Sequence, residues 1–161
     1  MVRVLFVCLG NICRSPMAEA VFMHKVRAAG LEDTIEADSA GTGHWHVGHP
    51  PHHGTRDMLN RSGIDYSHKA RLLTVSDLDS FDYILTMDDA NLRDVLAMGQ
   101  GKAVVRPFLD YAPDSPYREV PDPYYDGGFE GVYGLVSEAA DGLLKAIREE
   151  EPNRRVKALL G

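Results

Sequence analysis

The residues most suited to chemistry lie near the N-terminus, where five residues separate Cys8 from Arg14. Gly10 and Asn11, between them, tolerate the left-handed backbone that lets a loop curl its N–H groups around one point. Such a ring of amides binds a tetrahedral anion, and an arginine can donate to two of its oxygens at once. A cysteine at the base of this ring is stabilised as the thiolate, which is the nucleophilic form. The loop therefore predicts nucleophilic attack by Cys8 on a bound phosphorus atom.

The alternative interpretation of Cys8 is a buried structural residue, because free cysteine is commonly an inert core side chain. The neighbouring elements favour the nucleophile. Residues 2–7 form a near-continuous β-branched and apolar run that is typical of a strand buried on both faces. Ser15 and Pro16 are a helix-start signal, with serine as the cap and proline in the first turn. A loop between such a strand and a helix gains the positive helix end for anion binding.

Strand and helix patterns alternate along the rest of the chain. We predict helices over 16–29, 54–61 and 88–98 and from 129 to about 151, and strands over 34–40, 82–87 and 103–106. Pro152 is expected to end the last helix, with at most a further turn over 154–160. Residues 109–126 contain four prolines without periodicity and are predicted to form a long loop. The pattern predicts one α/β domain over residues 1–161, with its site beyond the carboxyl ends of the strands.

Length, charge and cysteine content exclude several classes of protein. A chain of 161 residues with two cysteines is neither a disulfide scaffold nor a four-cysteine zinc site. The net charge of −7 argues against binding to nucleic acid, and the sequence has no apolar run long enough for a membrane span. The N-terminus does not resemble a signal peptide, so we expect a cytoplasmic protein. Five histidines crowd residues 44–53, but glycine and proline interrupt this segment, so no metal site is expected.

The segment from Val7 to Pro16, VCLGNICRSP, closely resembles the active-site signature of the low-molecular-weight protein tyrosine phosphatases. Further matches in the family's order are Ser39-Ala40-Gly41-Thr42, Trp45, His68-Lys69-Ala70-Arg71, Met87-Asp88 and Asp122-Pro123-Tyr124-Tyr125. The resemblance covers roughly residues 2 to 150. It implies a three-layer fold in which helices flank a four-stranded parallel sheet, with a phosphate loop after the first strand. It also implies activity without a metal or cofactor.

Asp122 is the candidate general acid, since the resemblance places the family's proton donor at this position. A carboxylic acid beside the leaving oxygen accelerates ester cleavage, typically by about 10²–10⁴-fold. Pro121 and Pro123 stiffen the backbone around it. Taken alone, an aspartate before proline is also a common turn residue. The match to the family favours the catalytic interpretation, in which Asp122 then activates the hydrolytic water.

The resemblance also implies the remaining site residues. Tyr124, Tyr125 and Trp45 are expected to line the mouth of the site and to contact an aryl phosphate, although Trp45 alone is equally consistent with a pinned surface loop. The other candidate substrate-binding residues are Leu9, Gly10, Asn11, Ile12, Cys13 and Ser15. Asn11, Ser15, Ser39 and His68 match positions that hold the phosphate loop in shape. Cys13 is the candidate redox partner of Cys8, or a small apolar residue under the loop.

Three functions remain from these residues. The favoured one is a phosphatase that hydrolyses phosphotyrosine proteins and aryl phosphates through a cysteinyl-phosphate and releases inorganic phosphate. The second is an arsenate reductase of the same fold, which needs resolving cysteines later in the chain, and none follows Cys13. The third is a phosphotyrosine-binding module without activity. Since Cys8, Arg14 and Asp122 are all present, the sequence gives no sign of inactivation.

Overall fold

Strands and helices alternate in the computed structural model, which describes residues 1–160 and the side chains of residues 1–151. In chain order the elements are β1 (Val2–Cys8), α1 (Arg14–Ala28), β2 (Ile35–Gly41), α2 (His53–Arg61), α3 (Asp77–Ser80), β3 (Tyr83–Thr86), α4 (Asp89–Ala97), β4 (Val104–Pro107) and α5 (Phe129–Leu160). A 3₁₀ helix, Phe108–Tyr111, follows β4 directly.

The strands form one parallel sheet in the order β2-β1-β3-β4. At the carboxyl edge, Val7 pairs with Ala40 on one side and with Thr86 on the other. The chain leaves β1 first toward β2 and later toward β3, so the strand order reverses at β1. Ligands bind beside such a reversal in open α/β sheets, which places the loop after β1 at the expected position.

The two faces of the sheet pack against different helices. Val4 and Phe6 of β1 point into the larger core with α1 and α5, and Phe6 makes edge-on ring contacts with Phe22 and Phe108. Leu5 and Val7 point to the opposite face, where they pack with residues of α3 and α4. All four of these β1 side chains are fully buried, which explains the unbroken apolar run from Val4 to Cys8.

The prediction of a four-stranded parallel sheet flanked by helices is confirmed. Most of the predicted helix and strand ends differ from the observed ends by one or two residues. The predicted start of the first helix is wrong. Helix α1 begins at Arg14, so Ser15 lies inside it and does not cap it. The Ser15 hydroxyl instead contacts the sulfur of Cys8. The contact with Cys8 therefore uses the side chain that the sequence pattern assigned to a cap.

The predicted end of the last helix is also wrong, because α5 continues past Pro152 to Leu160. Proline removes one backbone hydrogen bond from a helix, and the residues around it here are mostly strong helix formers. Helix α3 and the 3₁₀ helix were not predicted, since four residues are too few to show a hydrophobic period. Among the described residues, no helix combines the length and apolar character that crossing a membrane requires.

The contact between α5 and the 3₁₀ helix depends on a residue without a side chain. A Cβ atom added to Gly142 would lie 1.8 Å from the carbonyl oxygen of Tyr111, whereas one added to Gly134 of the same helix would meet nothing within 4 Å. We expect Gly142→Ala to destabilise the protein by about 2–3 kcal/mol, since the backbone must move apart. Gly134→Ala should be neutral or stabilising by up to about 1 kcal/mol.

Urea unfolding midpoints of the two variants and the wild type measure this difference. The paired design separates the steric clash from the general effect of alanine on helix stability. Equal midpoints for Gly142→Ala and Gly134→Ala would contradict the close packing of α5 on the 3₁₀ helix.

Candidate active site

The loop from Cys8 to Arg14 turns sharply around the sulfur of Cys8. Asn11 has a φ of 57°, in the left-handed region, and its backbone N–H donates to Cys8 Sγ at 3.3 Å. The loop also packs closely on β2, since a Cβ on Gly41 would lie 2.8 Å from the carbonyl oxygen of Leu9. The sequence prediction of a curled loop with Asn11 in a left-handed conformation agrees with this geometry.

The side chain of Asn11 uses every hydrogen-bonding position that it has. Its amide nitrogen donates to Ser15 Oγ at 2.9 Å and to Ser39 Oγ at 3.0 Å. Its oxygen accepts from the Arg71 backbone N–H at 3.0 Å and from His68 Nε2 at 2.8 Å. A left-handed conformation costs a non-glycine residue about 1–2 kcal/mol, and these four bonds hold it in place.

Ser15 links the side chain of Asn11 to the sulfur of Cys8. Its oxygen accepts from Asn11, so its hydroxyl proton is free to donate to Cys8 Sγ, 3.0 Å away. Together with the Asn11 backbone N–H, this provides two donors for the Cys8 sulfur. Both donors favour the thiolate, because hydrogen bonds to an anion stabilise the charged form.

The Arg14 side chain is almost completely buried, and groups from distant parts of the chain hold its guanidinium. Its Nη1 donates to Asp88 Oδ2 at 2.7 Å and to the carbonyl oxygen of Val120 at 2.9 Å, and its Nη2 lies 3.7 Å from Asp122 Oδ2. Burial alone would lower the pKa of Arg14, but the charges of Cys8, Asp88 and Asp122 outweigh it and raise the pKa. The guanidinium therefore stays charged and fixed in one orientation.

Asp88 has two roles. Its Oδ1 accepts from the Asn91 N–H and caps α4, in keeping with an aspartate at the start of the predicted helix. Its Oδ2 holds Arg14, a contact that sequence reasoning missed. The only available signal was the position of Asp88 directly after β3, where the carboxyl ends of the strands converge.

A cavity of about 420 Å³ opens above the loop, a size within the usual range for small-ligand sites. Its lining residues are Cys8, Leu9, Gly10, Ile12, Cys13, Arg14, Trp45, His46, Asp122, Tyr124 and Tyr125. The structure thus brings together most of the predicted site residues. Asn11, Ser15, Ser39 and His68 are absent from this lining, and their side chains support the loop through hydrogen bonds. His46 lines the cavity and was not predicted as a site residue.

The rim of the cavity is aromatic. Trp45 is 63% exposed and Tyr125 is 87% exposed, although both line the cavity. Tyr124 contacts Tyr125 edge-on at 4.7 Å between ring centroids, and it also packs near His46 and His52. Exposed aromatic rings beside a cavity provide flat apolar surfaces for an aryl group.

Asp122 lies on the irregular segment after the 3₁₀ helix. Its Oδ1 accepts from the backbone N–H of Tyr124 at 3.1 Å, which holds the turn around Pro123. Its other oxygen faces Arg14, and its side chain is 43% exposed. The carboxyl group thus borders both the guanidinium and the solvent-open cavity.

Cys13 is a buried thiol in the same loop as Cys8. Burial, together with the charges of Cys8 and Asp122 and against the opposing effect of Arg14, raises the pKa of Cys13 to about 12. The residue packs with Ile12 and Ala70. Cys13 is therefore a neutral thiol near pH 7 and is unsuited to attack as a nucleophile.

Behind the loop, Glu19 of α1 extends the supporting network. Its Oε1 accepts from Ser39 Oγ and from Tyr66 OH, both at 2.8 Å. Burial raises the pKa of Glu19 to about 7, although the bonds from Ser39 and Tyr66 lower it. Sequence reasoning missed Glu19 and Tyr66. The signal for Glu19 was a single acidic residue inside the apolar run from Ala18 to Phe22.

Among the described residues, Glu19, Asp38 and His68 form the group of three in which the ligand atoms lie close enough together to suggest a metal site. Hydrogen bonds explain this cluster without an ion. The side-chain oxygen of Asn11 can only accept, so His68 Nε2 carries the proton in that bond, and Nδ1 lies 3.8 Å from Glu19 Oε1. Burial lowers the pKa of His68, and Arg71 lowers it further against the effect of Asp38. A neutral imidazole fits this arrangement.

The raised pKa of Glu19 predicts a specific pH dependence of stability. A carboxyl group with a higher pKa in the folded state stabilises the fold when protonated. This contribution is complete below its unfolded value near 4.5 and is lost as the pH rises through about 7. Glu19→Gln keeps the acceptor oxygen but cannot ionise. We therefore expect the variant to gain stability over the wild type between pH 5 and pH 8, by about 3 kcal/mol at most.

Urea unfolding of both proteins at several pH values measures the difference. His68 is present in both proteins, so its contribution to the free energy of unfolding cancels when the two are compared at the same pH. Parallel stability curves for wild type and Glu19→Gln would show that Glu19 does not titrate in this range.

Comparisons with known proteins agree with this geometry. The family model described as low molecular weight phosphotyrosine protein phosphatase matches residues 3–153. A low molecular weight protein-tyrosine-phosphatase of Bacillus subtilis, YfkJ, is 49% identical over 94% of this chain and 99% of its own length. A low molecular weight phosphotyrosine protein phosphatase of Schizosaccharomyces pombe is also 49% identical, over 91% of this chain and 97% of its own.

Solved structures are similarly close to this fold. The crystal structure of YfkJ superposes with a TM-score of 0.90 at 48% identity, covering 93% of this chain and 96% of that one. The Drosophila arginine phosphatase DARP superposes with a TM-score of 0.85 at 33% identity, covering 89% of this chain and 96% of its own. The phosphate loop, the cavity and these similarities lead to one conclusion: the chain belongs to the low molecular weight phosphotyrosine protein phosphatase family.

Proposed function

We propose that this protein hydrolyses phosphotyrosine and other aryl phosphate monoesters through a cysteinyl-phosphate intermediate. The observation that carries the proposal is that Cys8, Arg14 and Asp122 line one cavity. The sulfur has two hydrogen-bond donors, the guanidinium is buried and fixed, and the carboxyl group borders solvent. These are the three groups that a covalent phosphoryl transfer with a protonated leaving group requires.

In the first step the Cys8 thiolate attacks phosphorus from the floor of the cavity. A sulfur–phosphorus bond forms while the bond to the aryl oxygen breaks, and Asp122 gives its proton to that oxygen. Arg14 and the loop amides contact the equatorial oxygens. Since Asp88 and Val120 already orient the guanidinium, little rearrangement is needed as the transition state forms.

In the second step Asp122, now ionised, takes a proton from water as the water attacks the cysteinyl-phosphate. The sulfur leaves as a thiolate and inorganic phosphate is released. Ser15 and the Asn11 backbone N–H stabilise that leaving sulfur with the same hydrogen bonds that favour the thiolate before attack. The partial exposure of Asp122 supports this role, because the hydrolytic water needs access from solvent.

The aromatic rim supports an aryl substrate. Trp45, Tyr124 and Tyr125 offer ring faces beside the cavity, and ring contacts add about 0.5–1.5 kcal/mol beyond burial. The arginine phosphatase among the structural relatives shows that this fold also serves a different substrate class. We favour phosphotyrosine, since the relatives from Bacillus subtilis and Schizosaccharomyces pombe carry that activity in their names.

We propose a phosphotyrosine-containing protein or a small aryl phosphate as the binding partner, in a cytoplasmic setting. A nucleophilic thiol needs a reducing compartment, and Cys8 and Cys13 are both free thiols here. We also propose that Cys13 protects Cys8 from irreversible oxidation. Peroxide would convert the Cys8 thiolate to a sulfenic acid, which removes the Cys8 charge that helps to raise the pKa of Cys13. Cys13 would then attack the sulfenic sulfur, losing its proton as water leaves, and a disulfide would form.

Replacing the nucleophile tests the proposal directly. We expect Cys8→Ser to lose on the order of 10⁴-fold or more in kcat toward p-nitrophenyl phosphate assayed without added metal. The fluorescence of Trp45, the single tryptophan, should still respond to a phosphotyrosine peptide, which shows that the cavity remains intact. Undiminished turnover by Cys8→Ser would exclude the covalent mechanism.

Replacing the proposed acid tests its role as proton donor. We expect Asp122→Asn to slow phenyl phosphate by about 10²–10⁴-fold and p-nitrophenyl phosphate much less, because a good leaving group needs no proton. Asp126→Asn, an exposed acidic residue of the same segment outside the cavity lining, is the matched control and should change neither rate. Equal losses of Asp122→Asn on both substrates would argue against proton donation.

A further inference from the structure

Two histidines beside the cavity face each other through their ring nitrogens. His46 Nδ1 and His49 Nδ1 lie 3.4 Å apart, and the ring centroids are 5.6 Å apart with the planes tilted by 56°. His46 is half-buried and lines the cavity, whereas His49 is exposed. Without a ligand this contact is one hydrogen bond, in which one Nδ1 carries the proton and the other accepts it. A metal ion would replace that bond, with the proton held at Nε2 of the same ring, and neither ring takes part in the proposed reaction.

The backbone holds this pair in a closed turn. The His49 N–H donates to the His46 carbonyl at 2.8 Å. The Gly48 N–H donates to the Ala70 carbonyl, and the Ala70 N–H donates back to the His49 carbonyl, both at 2.8 Å. Gly48 has a φ of 87°, which closes the turn in a conformation that favours glycine. The two Cα positions are thus fixed before any ligand arrives.

The spacing of the two nitrogens matches that of metal ligands. Zinc binds imidazole nitrogen at about 2.0–2.1 Å in tetrahedral geometry, so two such nitrogens lie about 3.3 Å apart. We propose that His46 and His49 bind one divalent transition-metal ion, such as Zn²⁺ or Ni²⁺, through their Nδ1 atoms. Water completes the coordination, and a small rotation of each ring directs both lone pairs at the ion.

The position of the ion follows from the orientation of His46. Its Cδ2 and Nε2 atoms face Gly10, at 3.0 and 3.9 Å from the position of an added Cβ. Nδ1 lies across the ring from Cδ2 and so points away from the phosphate loop. The ion therefore binds beside the mouth, away from Cys8, and fixes the His46 ring against Gly10 and Tyr124.

The neighbouring histidines are engaged in other contacts. His52 Nδ1 accepts from the Gly54 N–H at 3.0 Å, and its ring lies between those of His53 and Phe129. His44 stacks on Trp45. The sequence-based expectation of no metal site rested on the broken backbone of residues 44–53. The turn hydrogen bonds remove that objection for the two residues at its ends, where two protein ligands provide a reversible site.

Zinc titration in the Cys8→Ser background tests the proposal, since it removes the reactive thiolate as a competing ligand. By isothermal titration calorimetry at pH 7.5 we expect one Zn²⁺ per chain with a Kd of about 0.1 mM or tighter. Adding His49→Asn should weaken binding at least tenfold. His24→Asn, an exposed histidine on α1, is the matched control and should leave the affinity unchanged. Because binding is measured directly, the result does not depend on phosphatase activity.

Tryptophan fluorescence provides a second readout at the same place. Trp45 neighbours His46, so Ni²⁺ bound to His46 should quench its emission, and His49→Asn should abolish that quenching. Circular dichroism of His49→Asn verifies that the variant is folded. The proposal is overturned if Zn²⁺ does not bind, if His49→Asn leaves the affinity unchanged, or if His24→Asn weakens binding as much.

Discussion

The left-handed backbone of Asn11 is the constraint on which the site depends. Without it, the chain would leave β1 in an extended path, and the Asn11 N–H would not point at the sulfur of Cys8. The conformation is unfavourable for an asparagine in isolation. It persists because four partners satisfy the carboxamide at once, two of them side chains from β2 and from the segment after α2. The shape of the loop is therefore a property of the surrounding fold more than of the loop sequence.

The parallel sheet explains how distant residues meet. Each strand ends at the same edge, and each contributes one part of the site just beyond its end. Cys8 ends β1, Trp45 and His46 follow β2, Asp88 follows β3, and Asp122 comes after β4 and its 3₁₀ helix. Arg14 connects two of these parts, because it binds both Asp88 and the backbone that leads to Asp122. A rotation of the sheet or of α5 would separate them.

Much of this was predictable from the sequence, for reasons that can be stated residue by residue. The apolar run before Cys8 predicted a central strand. The five-residue spacing between Cys8 and Arg14, with Gly10 and Asn11 inside it, predicted the loop. The motif resemblance placed Asp122 and the aromatic rim. Contacts between side chains far apart in sequence were not predictable. Glu19 meets Ser39 and Tyr66 only because α1 packs beside β2, and no local pattern encodes that meeting. The cap assignment of Ser15 was wrong, whereas its supporting contact in the loop agrees with the motif resemblance, because a cap and a thiolate donor use the same residue type.

The two carboxylate oxygens of Asp88 serve the fold and the site separately, and this restricts which residues can replace Asp88. One oxygen begins helix α4 and the other holds the buried guanidinium. Asparagine could still cap the helix but would remove the counter-charge nearest to Arg14 and leave only the more distant Asp122, while glutamate is too long to cap. No substitution retains both roles, so a mutation that weakens either one cannot be repaired at this position. Substitutions at Asp88 are therefore selected against for two reasons: the chain must fold, and Arg14 must stay oriented.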